Sequence, residues 1–273
     1  MINLVSEGCV KIKDELIMVA RGMNLVYKVN IENNNLVLLG NIPNENQDAG
    51  RLCGEILRHG DEIIFLPLNA RKINIYNVCE KKWRYIEIEE IENIYLDKFF
   101  TGMIDGDYLY MIGSKYPAIV KVNLYDGNDV KYFKSLYEIM DHNKDDCFIR
   151  RDIAVADEKL YMASCVNNYV FEYDLKTENI KKYEICDASK SFSGIAYDGK
   201  NFWLSSRTSL EIYRWSIQKS KVESFDFGLD KDHICRWGGV VFDGKQIIVY
   251  GMEGNRTIII NPFVDNIVDN VLV

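Results

Sequence analysis

The fold is decided by residues 192–227, which read FSGIAYDGKNFWLSSRTSLEIYRWSIQKSKVESFDF. Apolar runs alternate here with polar turns, and the Asp198-Gly199 pair between two such runs is typical of a tight β-hairpin. The pattern predicts four short strands, at Ser193–Tyr197, Asn201–Ser205, Leu210–Ile217 and Val222–Phe227. One meander of this size cannot bury both of its faces, so it needs neighbours of the same kind.

The rest of the chain supplies those neighbours as a repeat of about 46 residues, a period typical of propeller blades. The second strands align on the apolar anchors Ile17, Ile64, Leu109, Leu160, Phe202 and Ile247. Six repeats account for all 273 residues. We therefore predict an all-β fold, a six-bladed β-propeller of four-stranded antiparallel blades that forms a single domain over residues 1–273. The predicted blades span approximately residues 4–42, 51–89, 99–133, 149–186, 192–227 and 236–273.

Over its full length the chain resembles the β-propeller superfamily. The run Asn74-Ile75-Tyr76-Asn77 followed by Trp83 is faintly similar to kelch repeats. The double glycine of kelch second strands is missing, since the one doublet, Gly238-Gly239, falls in a first strand. The Trp-Asp signature of WD repeats is also absent. The resemblance therefore implies the propeller architecture and no specific family.

Glycine recurs at one position in five of the six predicted first strands, as Gly8, Gly54, Gly102, Gly194 and Gly239. First strands crowd together in a propeller, and a residue without a Cβ atom permits their close approach. The fourth repeat departs from the pattern, because Asp152 stands at the corresponding position.

Composition narrows the classes of partner. The net charge of −8 and the pI near 5.1 argue against binding to nucleic acid or to an anionic membrane. No basic-then-apolar leader and no long apolar run is present. Seven scattered cysteines, mostly within strand-like runs, predict buried reduced thiols and a cytoplasmic protein. No motif for a metal or a cofactor occurs, so we expect neither.

The topology of an up-and-down blade separates two faces. The loop between the second and third strands lies on the same face as the connection to the next blade, and we call this the near face. Far-face turns such as Asp198-Gly199 and Asp243-Gly244 are short and uniform, which indicates a structural role. Near-face loops differ from blade to blade, as binding loops on a rigid scaffold do.

Eight of the eleven arginines fall on the near face by this alignment. A guanidinium group suits carboxylate, phosphate or sulfate, and an aromatic ring beside it can stack on a sugar or a planar ligand. We therefore predict a central mouth that binds an anionic small molecule, a glycan, or a peptide or protein segment. The predicted ligand-binding residues are Arg21, Arg51, Arg71, Phe100, Arg150, Arg151, Phe192, Arg207, Arg236 and Trp237. The alternative is that these arginines pair with nearby acids such as Asp97 and Asp152 and so fix the blades to one another.

An enzyme is the second hypothesis, namely a propeller-type lyase or hydrolase that acts on an anionic substrate at the central cavity. Its catalytic candidates are Asp152, His233 and His142, since an imidazole beside carboxylates can act as a general acid or base. A third hypothesis is a purely structural role, in which the propeller binds protein partners; an exposed apolar outer edge on one blade would support it.

Residues 134–149 form the longest segment on the near face. A short helix is predicted there from Ser135 through Met140, and it could act as a lid.

Overall fold

A computed structural model describes residues 6–139, 147–226, 237–251, 257–264 and 271–272. The chain divides into two compact units, residues 1–146 and residues 147–273, which we call the N-terminal and C-terminal units. The prediction of a single domain stays a prediction. Within the described residues, no helix has the length and apolar composition that crossing a membrane requires.

The N-terminal unit contains three four-stranded antiparallel sheets and one short helix. Blade one comprises β1 (Ser6–Ile12), β2 (Glu15–Ala20), β3 (Val26–Asn30) and β4 (Leu36–Gly40). Blade two comprises β5 (Cys53–His59), β6 (Glu62–Pro67), β7 (Ile73–Asn77) and β8 (Lys82–Ile86). Blade three comprises β9 (Phe99–Asp105), β10 (Tyr108–Gly113), β11 (Ile119–Asn123) and β12 (Val130–Phe133), and it is followed by α1 (Ser135–Ile139).

The C-terminal unit repeats this plan. Blade four comprises β13 (Ile153–Ala156), β14 (Lys159–Ala163), β15 (Tyr169–Asp174) and β16 (Ile180–Glu184). Blade five comprises β17 (Phe192–Tyr197), β18 (Phe202–Ser206), β19 (Ile212–Ser216) and β20 (Lys221–Phe225). Blade six comprises β21 (Trp237–Phe242), β22 (Ile247–Gly251), β23 (Thr257–Ile260) and β24 (Val271–Leu272). The six sheets confirm the predicted all-β class, a six-bladed β-propeller fold.

The core of each unit lies between successive sheets. This agrees with the expectation that one four-stranded meander needs adjacent meanders to bury its faces. In the N-terminal unit, Ile64, Ile75, Leu109 and Met111 are fully buried within one cluster that joins blades two and three. In the C-terminal unit, Phe202 and Trp215 lie in the cluster that joins blades four and five. Their rings are 5.2 Å apart between centroids, a distance at which aromatic pairs attract each other.

Two of the recurring glycines stand where an innermost strand approaches the backbone of the next blade. A Cβ atom on Gly54 would lie 2.3 Å from the carbonyl oxygen of Phe99, and one on Gly8 would lie 2.7 Å from that of Gly54. These distances are below van der Waals contact, so the glycine positions are fixed by sterics. The pairing register also shifts in this part of five of the six first-strand pairs, which indicates a bulge or irregularity in each.

A polar residue also recurs at the end of the third strands, where it caps the turn to the fourth. Asn77 Oδ1 accepts the backbone N–H groups of Cys79 (3.0 Å) and Glu80 (2.8 Å). Asn30, Asn123 and Asp174 make the same pair of bonds in their blades. Each side chain closes an Asx turn, which fixes the start of the connection to the fourth strand.

The cysteines only partly match their prediction. Among the six described cysteines, all of them free thiols, Cys53 and Cys165 are buried, whereas Cys9 and Cys79 are exposed. The helix prediction is better matched, since α1 begins at Ser135 and its Leu136 is fully buried. The Tyr137 hydroxyl donates a hydrogen bond to the Gly113 carbonyl, which attaches this helix to blade three. The predicted end of the helix at Met140 lies outside the described residues.

A buried carboxylate stabilises blade four. Glu172 is 3% exposed and accepts hydrogen bonds from Lys159 Nζ (2.7 Å), the Tyr183 hydroxyl (2.7 Å) and the Tyr161 hydroxyl (3.2 Å). Burial alone would raise the pKa of Glu172, but the bonds from Lys159 and Tyr183 and the lysine charges outweigh it, so the pKa is lowered. Ionised Glu172 is therefore the stable form in the folded protein.

We predict that Glu172→Gln lowers the free energy of unfolding by about 2 kcal/mol at neutral pH, because charge-assisted bonds are lost. Since the folded pKa is lowered, this contribution is complete above the ordinary pKa of a glutamate and disappears as the pH falls below it. Urea unfolding of both proteins across that pH range measures the difference. The control Glu178→Gln, at an exposed position of the same blade, should change little. A gap between Glu172→Gln and the native chain that does not close in acid would contradict the account.

Candidate ligand-binding site

Hydrogen bonds join the two kinds of near-face loop in the N-terminal unit. The backbone N–H of Arg51 donates to the Arg21 carbonyl at 2.6 Å, and the N–H of Ser114 donates to the Lys98 carbonyl at 2.7 Å. The C-terminal unit repeats the arrangement, since the N–H of Arg207 donates to the Ser191 carbonyl at 2.8 Å. The loops that topology assigned to the near face therefore lie together within each unit.

The side chains of Arg51 and Arg207 make contacts that connect successive blades. Arg51 Nη2 lies 2.9 Å from Asp97 Oδ1, and the guanidinium carbon is 5.8 Å from the centre of the Phe100 ring. Arg207 Nη1 donates to the Cys165 carbonyl at 3.1 Å. These bonds connect loops of successive blades, which is the role that the alternative interpretation gave to the near-face arginines.

Three predicted arginines of the C-terminal unit also lie close to titratable side chains and affect their pKa values. Burial raises the pKa of the Cys165 thiol to about 11, although the charges of Arg207 and Arg150 oppose that rise. Cys165 therefore remains a neutral thiol at physiological pH. Arg151 lies beside the Tyr250 hydroxyl, whose pKa is raised by burial and by the charge of Asp152. Among the described members of the predicted set, Arg21 and Arg71 of the N-terminal unit are exposed.

The predicted aromatic residues lie in the core. Phe192 and Trp237 are fully buried, and Phe100 is 7% exposed. Phe192 packs with Tyr213 in an edge-on arrangement, with centroids 5.7 Å apart. The rings of Phe192 and Trp237 are thus covered by the protein, and we correct their assignment to a stacking surface. Sequence alignment placed them at the near-face ends of their strands but could not show that the side chains turn into the core.

Asp152 occupies a space that only glycines leave open. Its Oδ2 accepts the backbone N–H of Val240 at 2.8 Å, and both carboxylate oxygens lie within hydrogen-bonding distance of the Tyr250 hydroxyl, at 3.1 and 3.2 Å. A Cβ atom on Gly239 would lie 1.9 Å from Asp152 Oδ2, and one on Gly194 would lie 2.5 Å from it. The carboxylate therefore fills the room that these two glycines create, and it links blade four to blade six within the C-terminal unit.

The structure does not describe the remaining candidates. His142, His233 and Arg236 lie outside the described residues, so their proximity to Asp152 stays a prediction. His59 is on the far face, with its ring 5.8 Å from that of Tyr125. In the part of the chain that the structure describes, no three His, Cys, Asp or Glu side chains are grouped as metal ligands.

A near-face cleft in the N-terminal unit was not predicted. It has a volume of about 490 Å³ and lies between blades two and three. Apolar side chains of its lining include Leu52, Ile88, Ile91 and Tyr116, while Tyr95 is 66% exposed. Charged members of the lining are Glu45, Glu89, Glu90, Arg71 and Lys98. We call it the Lys98 cleft. It combines an apolar wall with charges of both signs, as small-molecule sites commonly do.

The segment between β8 and β9 forms much of this cleft. Residues 87–98 read EIEEIENIYLDK, an acidic and apolar alternation in a long connection between two blades. The Asn69 side chain fixes its end, since Asn69 Oδ1 accepts the backbone N–H of Asp97 at 3.0 Å. The length and mixed character of this connection were the sequence signals that could have indicated the cleft.

Comparisons with known proteins identify the fold and no family. No family model matches the chain, and no curated protein matches it. Among solved structures, a streptogramin B lyase superposes with a TM-score of 0.71 and 13% identity, covering 93% of this chain and 79% of that chain. BamB from Moraxella catarrhalis gives 0.58 and 9% identity (88% and 68% covered), and Sqt1 from Saccharomyces cerevisiae gives 0.61 and 13% (88% and 67%). At these identities the likeness shows the propeller fold alone. The kelch resemblance stays a prediction.

We predict that Asp152→Ala lowers the free energy of unfolding by about 3 kcal/mol, because it leaves the Val240 N–H and the Tyr250 hydroxyl without this acceptor. Asp152 also has a left-handed backbone, with φ of 43°. The matched control is therefore Asp157→Ala, at an exposed residue with φ of 51°, which carries the same backbone cost. Urea unfolding of the two variants compares them. Equal losses would show that the buried bonds of Asp152 contribute nothing.

Proposed function

We propose that this chain is a propeller-type binding module whose near face receives an anionic small molecule, a glycan or a peptide segment. The observation that carries the proposal is the Lys98 cleft, because it is a concave site with an apolar wall and two basic side chains, Arg71 and Lys98. Arg71 is exposed at this cleft, whereas Arg51 is paired with Asp97. We therefore assign the first contact with an anion to Arg71.

The wall of the cleft suits a ligand with an apolar body. Ile88 and Tyr116 are buried residues of its lining, and Leu96 is 58% exposed beside them. A ligand that covers Leu96 and Tyr95 would remove apolar surface from water and gain affinity from the hydrophobic effect. Three glutamates in the lining disfavour a highly charged anion, so a single carboxylate on an apolar body is the ligand that we favour.

BamB and Sqt1 share this fold, and the streptogramin B lyase shares it too, so the fold alone does not choose between binding and catalysis. The alternative, a lyase or hydrolase on an anionic substrate with Asp152 as a catalytic group, remains a weaker proposal. The bonds of Asp152 to Val240 and Tyr250 suit a structural carboxylate.

We also propose a cytoplasmic location, because the described cysteines are free thiols, as is usual in a reducing compartment.

We predict that 2-naphthoate binds the chain more tightly than the neutral 2-naphthalenemethanol, because only the former carries a carboxylate for Arg71. Replacing Arg71 by Gln should weaken the binding of 2-naphthoate about fivefold, the effect of an exposed ion pair worth about 1 kcal/mol. Titration calorimetry at low salt measures both affinities, and the binding of 2-naphthalenemethanol should be unchanged by this substitution.

The matched control is Arg58→Gln, at an exposed arginine of the far face whose Nε donates to the Gly60 carbonyl. This variant should bind 2-naphthoate as the native chain does. If both arginine variants lost affinity equally, the effect would be one of net charge. Equal binding of the acid and the alcohol by the native chain would contradict an anion site.

A further inference from the structure

Lys98 is a buried lysine on the wall of the cleft. It is 8% exposed, and its Nζ donates to the Ala70 carbonyl at 2.5 Å. Its backbone is fixed on both sides of its Cα, since its N–H donates to the Leu68 carbonyl (3.0 Å) and its carbonyl accepts the N–H of Ser114 (2.7 Å). The amine is therefore held in one position beside the cleft.

Such a site disfavours a charged ammonium group. An ammonium group has three N–H donors. Within the described residues, Lys98 Nζ donates a hydrogen bond to one acceptor, the Ala70 carbonyl. Burial lowers the pKa of Lys98, the charge of Arg71 lowers it further, and the charges of Glu45 and Glu90 only partly oppose this. A larger fraction of Lys98 than of an exposed lysine is therefore a neutral amine, which is the nucleophilic form.

The neighbours of Lys98 supply what an amine needs to react with a carbonyl compound. Glu45 and Glu90 act electrostatically on the amine and line the same cleft, so their carboxylates can transfer protons. Arg71 can pair with an anionic group of the reactant. The volume of about 490 Å³ is within the range of pockets that hold small molecules.

We propose that Lys98 forms an imine with a small carbonyl compound that also carries a carboxylate, such as an oxo acid or a formyl acid. The carboxylate pairs with Arg71 while the carbonyl carbon meets Lys98 Nζ. This inference rests on the proposed function, because it specifies the ligand class of the Lys98 cleft.

The step balances without any other reactant. The lone pair of Lys98 Nζ forms a bond to the carbonyl carbon, and the π electrons of the C=O bond move to its oxygen. A proton passes from nitrogen to oxygen through Glu45 or Glu90, which gives a carbinolamine. The second N–H proton then passes to the hydroxyl oxygen through the same carboxylate, the C–O bond breaks as water leaves, and the nitrogen lone pair forms the C=N bond. Amine and carbonyl thus become imine and water, with no change in oxidation state, and water reverses the step.

The test traps the imine in the native chain. The protein is incubated with 4-formylbenzoate and sodium cyanoborohydride, which reduces an imine to a stable secondary amine, and labelled peptides are mapped by mass spectrometry. Lys98 should be labelled several-fold faster than Lys82 and Lys176, whose side chains are 78% and 71% exposed. Benzaldehyde, which lacks the carboxylate, should show a smaller preference for Lys98.

Two variants test whether the fast label is on Lys98 and whether Arg71 recognises the carboxylate. Lys98→Met, a substitution of similar shape, should remove the fast label and leave the labelling of Lys82 unchanged. Arg71→Gln should reduce the advantage of 4-formylbenzoate over benzaldehyde at Lys98. The experiment on the native chain decides the matter even if Lys98→Met does not fold.

The failure of this inference is distinguishable from that of the proposed function. If Lys98 is labelled no faster than Lys82 while 2-naphthoate still binds in an Arg71-dependent manner, imine formation is overturned and the binding site remains. If neither occurs, both proposals are overturned. A fast label on Lys98 that is equal for benzaldehyde and 4-formylbenzoate in the native chain would overturn the requirement for a carboxylate.

Discussion

The close approach of backbones at the innermost strands is the constraint on which the rest of the structure depends. The Cβ atom of any other residue at Gly54 would lie 2.3 Å from the Phe99 carbonyl oxygen and 2.9 Å from the Phe100 Cα. Such distances leave no room for a side chain, so the two strands meet only because glycine stands there. This contact sets the spacing of blades two and three, and hence the alignment of the loops that follow.

The loops of the candidate site inherit their positions from these strands. The Leu52 carbonyl, just before β5, accepts the N–H groups of Leu68 (2.9 Å), Asn69 (3.2 Å) and Ala70 (3.0 Å). Ala70 in turn accepts the bond from Lys98 Nζ, just before β9. One continuous set of hydrogen bonds therefore leads from the innermost strands to the buried amine. The position of Lys98 is a consequence of the blade packing.

Partly buried carboxylates give the innermost strands a second link. Glu55 Oε2 accepts the Gly102 N–H at 3.0 Å and the Thr101 hydroxyl at 2.8 Å, so it joins blades two and three. Asp152 does the same between blades four and six within the C-terminal unit. Burial raises the pKa of Glu55, although its two hydrogen bonds oppose the rise. These acids are structural links that also leave titratable groups among the innermost strands.

Much of the fold could be predicted from the sequence because it repeats. The second strand of blade two was predicted around the anchor Ile64 and is found at Glu62–Pro67, because the repeat period fixes its position in the chain. The recurring glycine was also informative, although the irregular pairing beside it was missed. A further repeat consists of the asparagines that close the turns after the third strands, namely Asn30, Asn77 and Asn123. It can be recognised only once the structure shows these turns.

The site was harder to predict, for physical reasons. Trp237 and Phe192 lie at the predicted ends of their strands, but the direction of a side chain depends on packing that a single sequence does not show. The partner of Arg51 comes from the connection to the next blade, in Asp97. Lys98 looked like any surface lysine, because its burial results from packing that brings its amine to the distant Ala70 carbonyl. Each of these side-chain positions is set by contacts between residues far apart in the sequence, and the local sequence pattern does not contain such contacts.

The free energy of unfolding of Gly54→Ala, measured in urea beside Gly22→Ala, tests the central claim most directly. Gly22 has open space around the position of a Cβ atom, so its substitution should change stability by less than about 0.5 kcal/mol. The added methyl group at Gly54 should cost about 2 kcal/mol or more, because the strands must separate to admit it. Equal stability of the two variants would contradict the claim that close approach at the innermost strands organises this protein.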